Sequence, residues 1–239
     1  IRNATEKIDI SVNEVIWFDA LDFVFTADKG GSTPIFRTTT SKTEVKVPTV
    51  AQPKHGVNSS LSASMAPIAA GPMGGAKTPQ LVFANAKMDQ PAEIFTGETN
   101  LSQANTEFLK ELSLGRPESV SVPVEGKVDM QMWVLKPPGF DDKKKWPVVY
   151  LVHGGPQSAW EDGWSYRWNP QAWAARGYVV VMPNPRGSTG FGQKFCDEIT
   201  GDWGGKCYRD LVAGLDAVEK LPYVDKDRMA SAGASFGGY

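Results

Sequence analysis

A chain of 239 residues with 25 Lys plus Arg against 27 Asp plus Glu carries a formal charge of -2. That balance excludes nucleic-acid and polybasic membrane-surface binders, which need a local cation cluster; the only basic run is Lys143-Lys144-Lys145. Hydrophobic residues at 41 % and charged residues at 22 % exclude disorder and fibrous repeats.

The opening residues, IRNATEKIDI, hold neither an initiator Met nor a signal-peptide core, so the chain reads as cut from something longer. No apolar run reaches the roughly 18 to 20 residues of a membrane-crossing helix. Asn3-Ala4-Thr5, Asn58-Ser59-Ser60 and Asn100-Leu101-Ser102 match the glycosylation triplet, a pattern that also arises by chance.

Residues 1 to about 115 read as short strands broken by turns. Leu21 to Ala27 is a strand of apolar and β-branched residues, ended by Asp28-Lys29-Gly30-Gly31, and Pro34 to Thr38 begins the next. The phrase returns in Leu81 to Asn85 and Glu93 to Thr96, so that Phe25 maps to Phe83, Lys29 to Lys87 and Phe36 to Phe95. Two successive propeller blades fit this repeat, with Ser59 to Thr78 as an extended loop or weak strand pair. A pair of similar hairpins in an unrelated sandwich is the other reading.

From residue 116 the period changes. Glu118 to Glu125 and Met130 to Lys136 look like an antiparallel pair. Val148 to Val152 is a continuous apolar run, as expected of a strand buried on both faces. A helix is expected over Trp168 to Arg176, with Pro170 in its first turn and Gly177 stopping it. A second buried strand follows over Tyr178 to Met182. Cys207 to Leu221 has a helical stripe of Leu211, Leu215 and Val218, with Val212 beside it; Asp210, Glu219 and Lys220 are expected to face water. Arg228 to Ala234 is a small-residue strand. The order predicts an α/β fold, an incomplete doubly wound sheet whose reactive positions lie at the strands' carboxyl ends.

Three loops follow those ends. Gly233-Ala234-Ser235-Phe236-Gly237 matches the nucleophile elbow, in which a serine sits on a tight strand-to-helix turn between residues small enough for backbone to approach. Ser235 is the candidate nucleophile. His153-Gly154-Gly155-Pro156 follows the first apolar strand. In such hydrolases one oxyanion donor is the N–H after the serine, here Phe236, and the other comes from a glycine-rich loop of this kind. Gly155 is the best second donor, since Pro156 has no N–H. His153 is read as ordering that loop rather than as the base. The third loop, Asn184 to Gly192, has glycine spacing G-x-x-G-x-G, not the dinucleotide pattern, and no phosphate-loop lysine. Its Arg186 either braces the loops or meets a substrate carbonyl or carboxylate.

No cofactor or metal is implied: the only histidines, His55 and His153, lie in different regions. Trp164 and Trp168, four apart, read as one face of a local helix or turn. Cys196 and Cys207 are a local disulfide or two thiols. The pair fits a secreted or periplasmic parent slightly better than a cytoplasmic one, and leaves compartment open, as is oligomeric state.

VHGGP, NPRGSTGFG, GDWGG and GASFGGY, in this order, resemble the prolyl oligopeptidase family of serine peptidases, in particular its dipeptidyl-peptidase and acylaminoacyl-peptidase branch. The resemblance covers Glu118 to Tyr239 closely and extends to Leu21 to Phe95 as last propeller blades. It implies residues 1–115 as a partial β-propeller and 116–239 as the first part of an α/β-hydrolase domain. It also implies Ser235 as nucleophile, Phe236 and Gly155 N–H as oxyanion hole, and short peptides as substrates admitted by the propeller. His153 stands where some relatives carry an oxyanion-hole tyrosine, and Arg186 matches an arginine common in the family.

Triad order in this fold is Ser, Asp, His, so both partners of Ser235 are expected beyond residue 239. Alone, these residues are expected to hydrolyse nothing at a useful rate and to aggregate through an open sheet edge. The rivals are a carboxylesterase of the same fold and a noncatalytic propeller-based binding protein.

Overall fold

The structure, a computed structural model, describes residues 9–40, 50–64 and 80–239. The triplet at Asn3 and most of the Ser59 to Thr78 stretch lie outside these residues.

Two antiparallel sheets open the chain. The first runs β1 (Val12–Trp17), β2 (Asp22–Ala27), β3 (Ile35–Thr39). The second runs β4 (Val57–Ser64), β5 (Gln80–Lys87), β6 (Gln90–Thr96), β7 (Thr99–Asn100). The sequence repeat is a structural one. Phe25 pairs with Phe36 across β2 and β3, their rings stacked at 5.2 Å, and Phe83 pairs with Phe95 across β5 and β6 at 6.3 Å. Val24, Ile35, Leu61, Leu81, Phe83 and Phe95 form one buried cluster, so the two blades share a core. The partial propeller is therefore held by apolar packing between successive sheets.

The helix α1 (Thr106–Lys110) leads into a five-stranded sheet of β8 (Arg116–Val124), β9 (Val128–Lys136), β10 (Trp146–Val152), β11 (Val179–Pro183) and β12 (Val224–Gly233). Its order is β8-β9-β11-β10-β12, with β10 parallel to both β11 and β12. β10 and β11 are central, which explains their unbroken apolar runs. One face is packed by α4 (Lys206–Glu219), whose Val218 joins Val148, Tyr150, Val179 and Val181. The other carries Trp133, Leu135, Val149 and Val180 beneath α2 (Gln171–Ala174). This is the expected α/β-hydrolase sheet, and β12 is an edge strand among the described residues.

Some local expectations change. α2 is shorter than the Trp168 to Arg176 helix, with Pro170 at its N-cap; Gly177 at φ +84° follows it as the expected stop. Trp164 lies in irregular backbone and Trp168 on a bend, so the two do not share a helix or turn. Asp210 does not face water: it is fully buried, in line with Cys207, Gly214 and Val218 on the inner stripe of α4. Val212, by contrast, is exposed. Cys196 and Cys207 are free thiols, and burial pushes the Cys207 thiol up to about 12.

The blades meet the hydrolase part through the loop after β10, through α2 and through the loop after β11, where Gly190 O accepts the Gly30 N–H at 2.9 Å. Asp162 donates its N–H to Gly31 O at 2.8 Å and accepts the Met88 N–H at 2.9 Å. Gln171 of α2 donates to the carbonyls of Met88 and Gly115. No helix among the described residues is long and apolar enough to cross a membrane.

Candidate active site

β12 ends at Gly233, and the chain turns at once into a short 3-10 helix, Ser235–Gly238. Ser235 stands at φ +56°, a conformation L residues rarely adopt, and it is exposed at the strand tip. The flanking glycines permit this. A Cβ on Gly233 would lie 2.1 Å from Gly237 O, and one on Gly237 would lie 2.2 Å from Val152 O. Phe236 is buried beside Ile199 and Cys207, its ring edge-on to Trp203 at 5.4 Å.

The parallel register of β10 and β12 pairs Val152 with Gly233, which sets the two following loops side by side. Gly154 fits against the elbow: a Cβ there would sit 3.4 Å from Ser235 Cβ and 3.9 Å from Ser235 Oγ. Glycine is thus what leaves space beside the hydroxyl. Gly155, at φ +124°, follows directly.

His153 is buried at the base of this loop. Its Nδ1 lies 2.7 Å from Gly154 O and its Nε2 2.9 Å from Ser188 Oγ, which is itself 2.6 Å from Pro185 O. Burial lowers the His153 pKa, the Gly154 contact opposing it, so the ring is neutral at physiological pH. Both ring nitrogens are engaged by the loops. Its fellow histidine, His55, lines a cleft with Lys87, Asp89, Arg116 and Asp162, between the second blade and β8.

Arg186 follows β11 and is 2 % exposed. Its guanidinium pairs with both oxygens of Asp210, its backbone N–H donates to Asp210 Oδ2 at 2.9 Å, and Glu198 lies 3.5 Å away. Asn184, fully buried in the same loop, accepts the Trp160 N–H at 2.7 Å and donates to Trp160 O at 2.9 Å. The structure thus brings Ser235, Phe236, Gly154, Gly155 and His153 together, while Arg186 turns inward to α4. Sequence reading missed Asp210, Ser188 and Asn184. Asp210 was detectable from its spacing to Gly214 and Val218; the other two had only their position after a buried strand.

A serine at positive φ between closely approached glycines, at the tip of a parallel strand beside a His-Gly-Gly loop, has the geometry of the nucleophile elbow of an α/β-hydrolase. Residues 164–239 match the sequence model of the prolyl oligopeptidase family. The chain is 52 % identical over 128 residues to dipeptidyl-peptidase 5 of Trichophyton schoenleinii, covering 53 % of this chain and 18 % of that protein. To its Arthroderma otae counterpart it is 54 % identical over 114 residues, 47 % of this chain and 16 % of that one. Among solved structures, the acylaminoacyl peptidase of Pyrococcus horikoshii superposes with a TM-score of 0.81 at 25 % identity, over 98 % of this chain and 35 % of that one. An acylaminoacyl peptidase in complex with Z-Gly-Gly-Phe-chloromethyl ketone gives the same score and identity over 100 % of this chain and 35 % of that one. The resemblance to the prolyl oligopeptidase family, read first from four motifs, therefore holds in sequence and in fold. The chain spans less than a fifth of the length of these curated relatives.

Proposed function

We propose that the whole protein is a serine peptidase that cleaves short peptides through an acyl-enzyme, in the manner of a dipeptidyl or acylaminoacyl peptidase. Ser235 Oγ attacks the scissile carbonyl. The oxygen that becomes negative is received by the N–H groups of Phe236 and Gly155, fixed donors that need no reorganisation as charge develops. Phe236 lies in the first turn of the 3-10 helix, where an N–H has no partner one turn earlier. Gly155 follows the glycine that lies against Ser235. The observation that carries the reading is that Gly154 contact, joined to the positive φ of Ser235.

His153 supports the oxyanion loop and Arg186 braces the loop that holds it. The base and its carboxylate follow the elbow in the chain order Ser, Asp, His. Peptide chemistry is supported by the relative crystallised with a peptide chloromethyl ketone. The 239 residues by themselves should turn over a dipeptidyl reporter negligibly, because a serine without its base stays protonated.

The test is covalent. A fluorophosphonate should label the whole protein at Ser235, and Ser235→Ala should abolish the adduct. Labelling at another residue, or none in a protein that is folded, would reject the assignment and favour a noncatalytic binding role.

A further inference from the structure

The glycosylation triplets read from the sequence are not equivalent in the fold. Asn58, on β4, is 3 % exposed and both ends of its amide are engaged. Its Nδ2 donates to Thr33 O and to Gln52 Oε1, each at 3.0 Å, and its Oδ1 accepts from Asn85 Nδ2 at 2.9 Å. These bonds tie the second blade to the first. A sugar on Nδ2 replaces one of its two hydrogens, so one of the bonds would go, and a bulky polar group would have to enter the space between the blades. This fold and a sugar at Asn58 exclude each other.

Asn100 is the opposite case. It ends β7, an edge strand of the second blade among the described residues, and the four residues after it are all exposed. Its Oδ1 accepts the N–H groups of Ser102 and Gln103, each at 3.1 Å, in the turn that asparagine side chains form where the chain changes direction. Nδ2 has no partner among the described residues and is not buried. Glycosylation uses Nδ2 and leaves Oδ1 a carbonyl oxygen, so a sugar here keeps both bonds of the turn. Beside it stand two exposed apolar residues, Leu101 and Ile94, joined by a 2.7 Å bond from Leu101 N–H to Ile94 O. A sugar would cover surface of that kind.

We propose that Asn100 is an N-glycosylation site of the whole protein and that Asn58 stays unmodified. The donor is an oligosaccharide carried on a lipid diphosphate. A bond forms between Asn100 Nδ2 and the anomeric carbon of the first sugar, and the bond from that carbon to the diphosphate oxygen breaks. The diphosphate leaves with the electron pair, and the proton released by Nδ2 passes to it through solvent. Transfer takes place on the chain as it enters the secretory pathway; the fold decides which sugar-bearing asparagine is compatible with a finished protein. The proposal stands apart from the chemistry at Ser235.

The experiment is site mapping on the whole protein isolated from the organism that makes it. N-glycosidase in heavy-oxygen water converts each sugar-bearing asparagine to a heavy-labelled aspartate, read by peptide mass spectrometry. Label at position 100 and none at position 58 is the expected result. An unlabelled position 100, or label at position 58 in folded protein, would overturn the proposal. Variants of the whole protein secreted from yeast give a second readout. Asn100→Asp, which keeps the Oδ1 acceptor of the turn, should lose one glycosidase-sensitive mobility step. Ser60→Gly removes the Asn58 triplet at an exposed residue whose φ of +54° suits glycine, and it should lose none. A wild type that runs like Asn100→Asp, or a step lost in Ser60→Gly, contradicts the proposal. Fluorophosphonate labelling of Ser235 bears on neither outcome, so the peptidase reading and this one fail separately.

Discussion

Ser235 illustrates how one residue's geometry depends on its neighbours having no side chain. The positive φ is tolerated because the turn is fixed from both sides by backbone oxygens 2.1 to 2.2 Å from where a Cβ at Gly233 or Gly237 would be. Gly237→Ala should therefore cost about 2 kcal/mol or more and abolish fluorophosphonate labelling, read by thermal unfolding and by adduct mass. An alanine there that unfolds and labels like wild type would show that the turn is looser than described. Glu93 tells a similar story in a carboxylate. Burial alone would raise its pKa, but hydrogen bonds from Ser102, Asn105 and the Ala104 N–H outweigh it and bring the value below the usual range. Because the folded-state value is depressed, the stabilisation is complete above the ordinary Glu range and is lost as pH falls through the folded-state value. Glu93→Gln should flatten the acid limb of the stability–pH curve while leaving its slope near neutrality alone, and an unchanged acid limb contradicts this.

At the level of elements, α4 shows what a helical pattern can and cannot reveal. Apolar spacing located the helix to within two residues, and the buried strands β10 and β11 were equally plain from their valine runs. Asp210 was misread because a carboxylate on a helix usually faces solvent, and its partner lies 24 positions away on a loop. Polar β4 gave no alternation of apolar residues; its pairing with β5 supplies the backbone partners that the side chains do not advertise. Ser188 and His153 are 35 positions apart and meet only because β11 and β10 are adjacent. The motifs thus located the reactive loops, while the bonds between loops required the fold. For the Arg186–Asp210 pair, Asp210→Ala leaves the buried guanidinium with only Glu198 at 3.5 Å and should cost about 3–5 kcal/mol by denaturant unfolding. Replacing both residues with apolar ones, Arg186→Met with Asp210→Leu, should cost clearly less. A double variant as unstable as the single one would place the cost in packing instead of charge.

Across the molecule, one of the contacts that join the propeller blades to the hydrolase sheet is a pair of carboxyl groups. Glu161, in the loop after β10, meets the carboxyl of Asp28 in the turn after β2. Burial and the Asp28 charge together push Glu161 up to about 7. A raised carboxyl pKa means the folded state keeps a proton that the unfolded chain releases. The junction's stability is then full below the ordinary Glu range and declines as pH rises through about 7. Glu161→Gln should remove that decline, measured as unfolding midpoint against pH from 4.5 to 8 in the whole protein; an identical slope in the variant would show that the pair is not coupled to folding. The same loop runs from the His-Gly-Gly turn to the blades, and the loop after β11 reaches them too, Gly190 O accepting the Gly30 N–H at 2.9 Å.

A crystal structure of the whole protein with a peptidyl boronate bound measures the reading where it matters most. A tetrahedral boron on Ser235 Oγ is expected, with one oxygen about 2.7–3.1 Å from both the Phe236 and Gly155 nitrogens. A boronate bonded to another residue, or one on Ser235 whose oxygens all lie away from the Gly155 nitrogen, would contradict it.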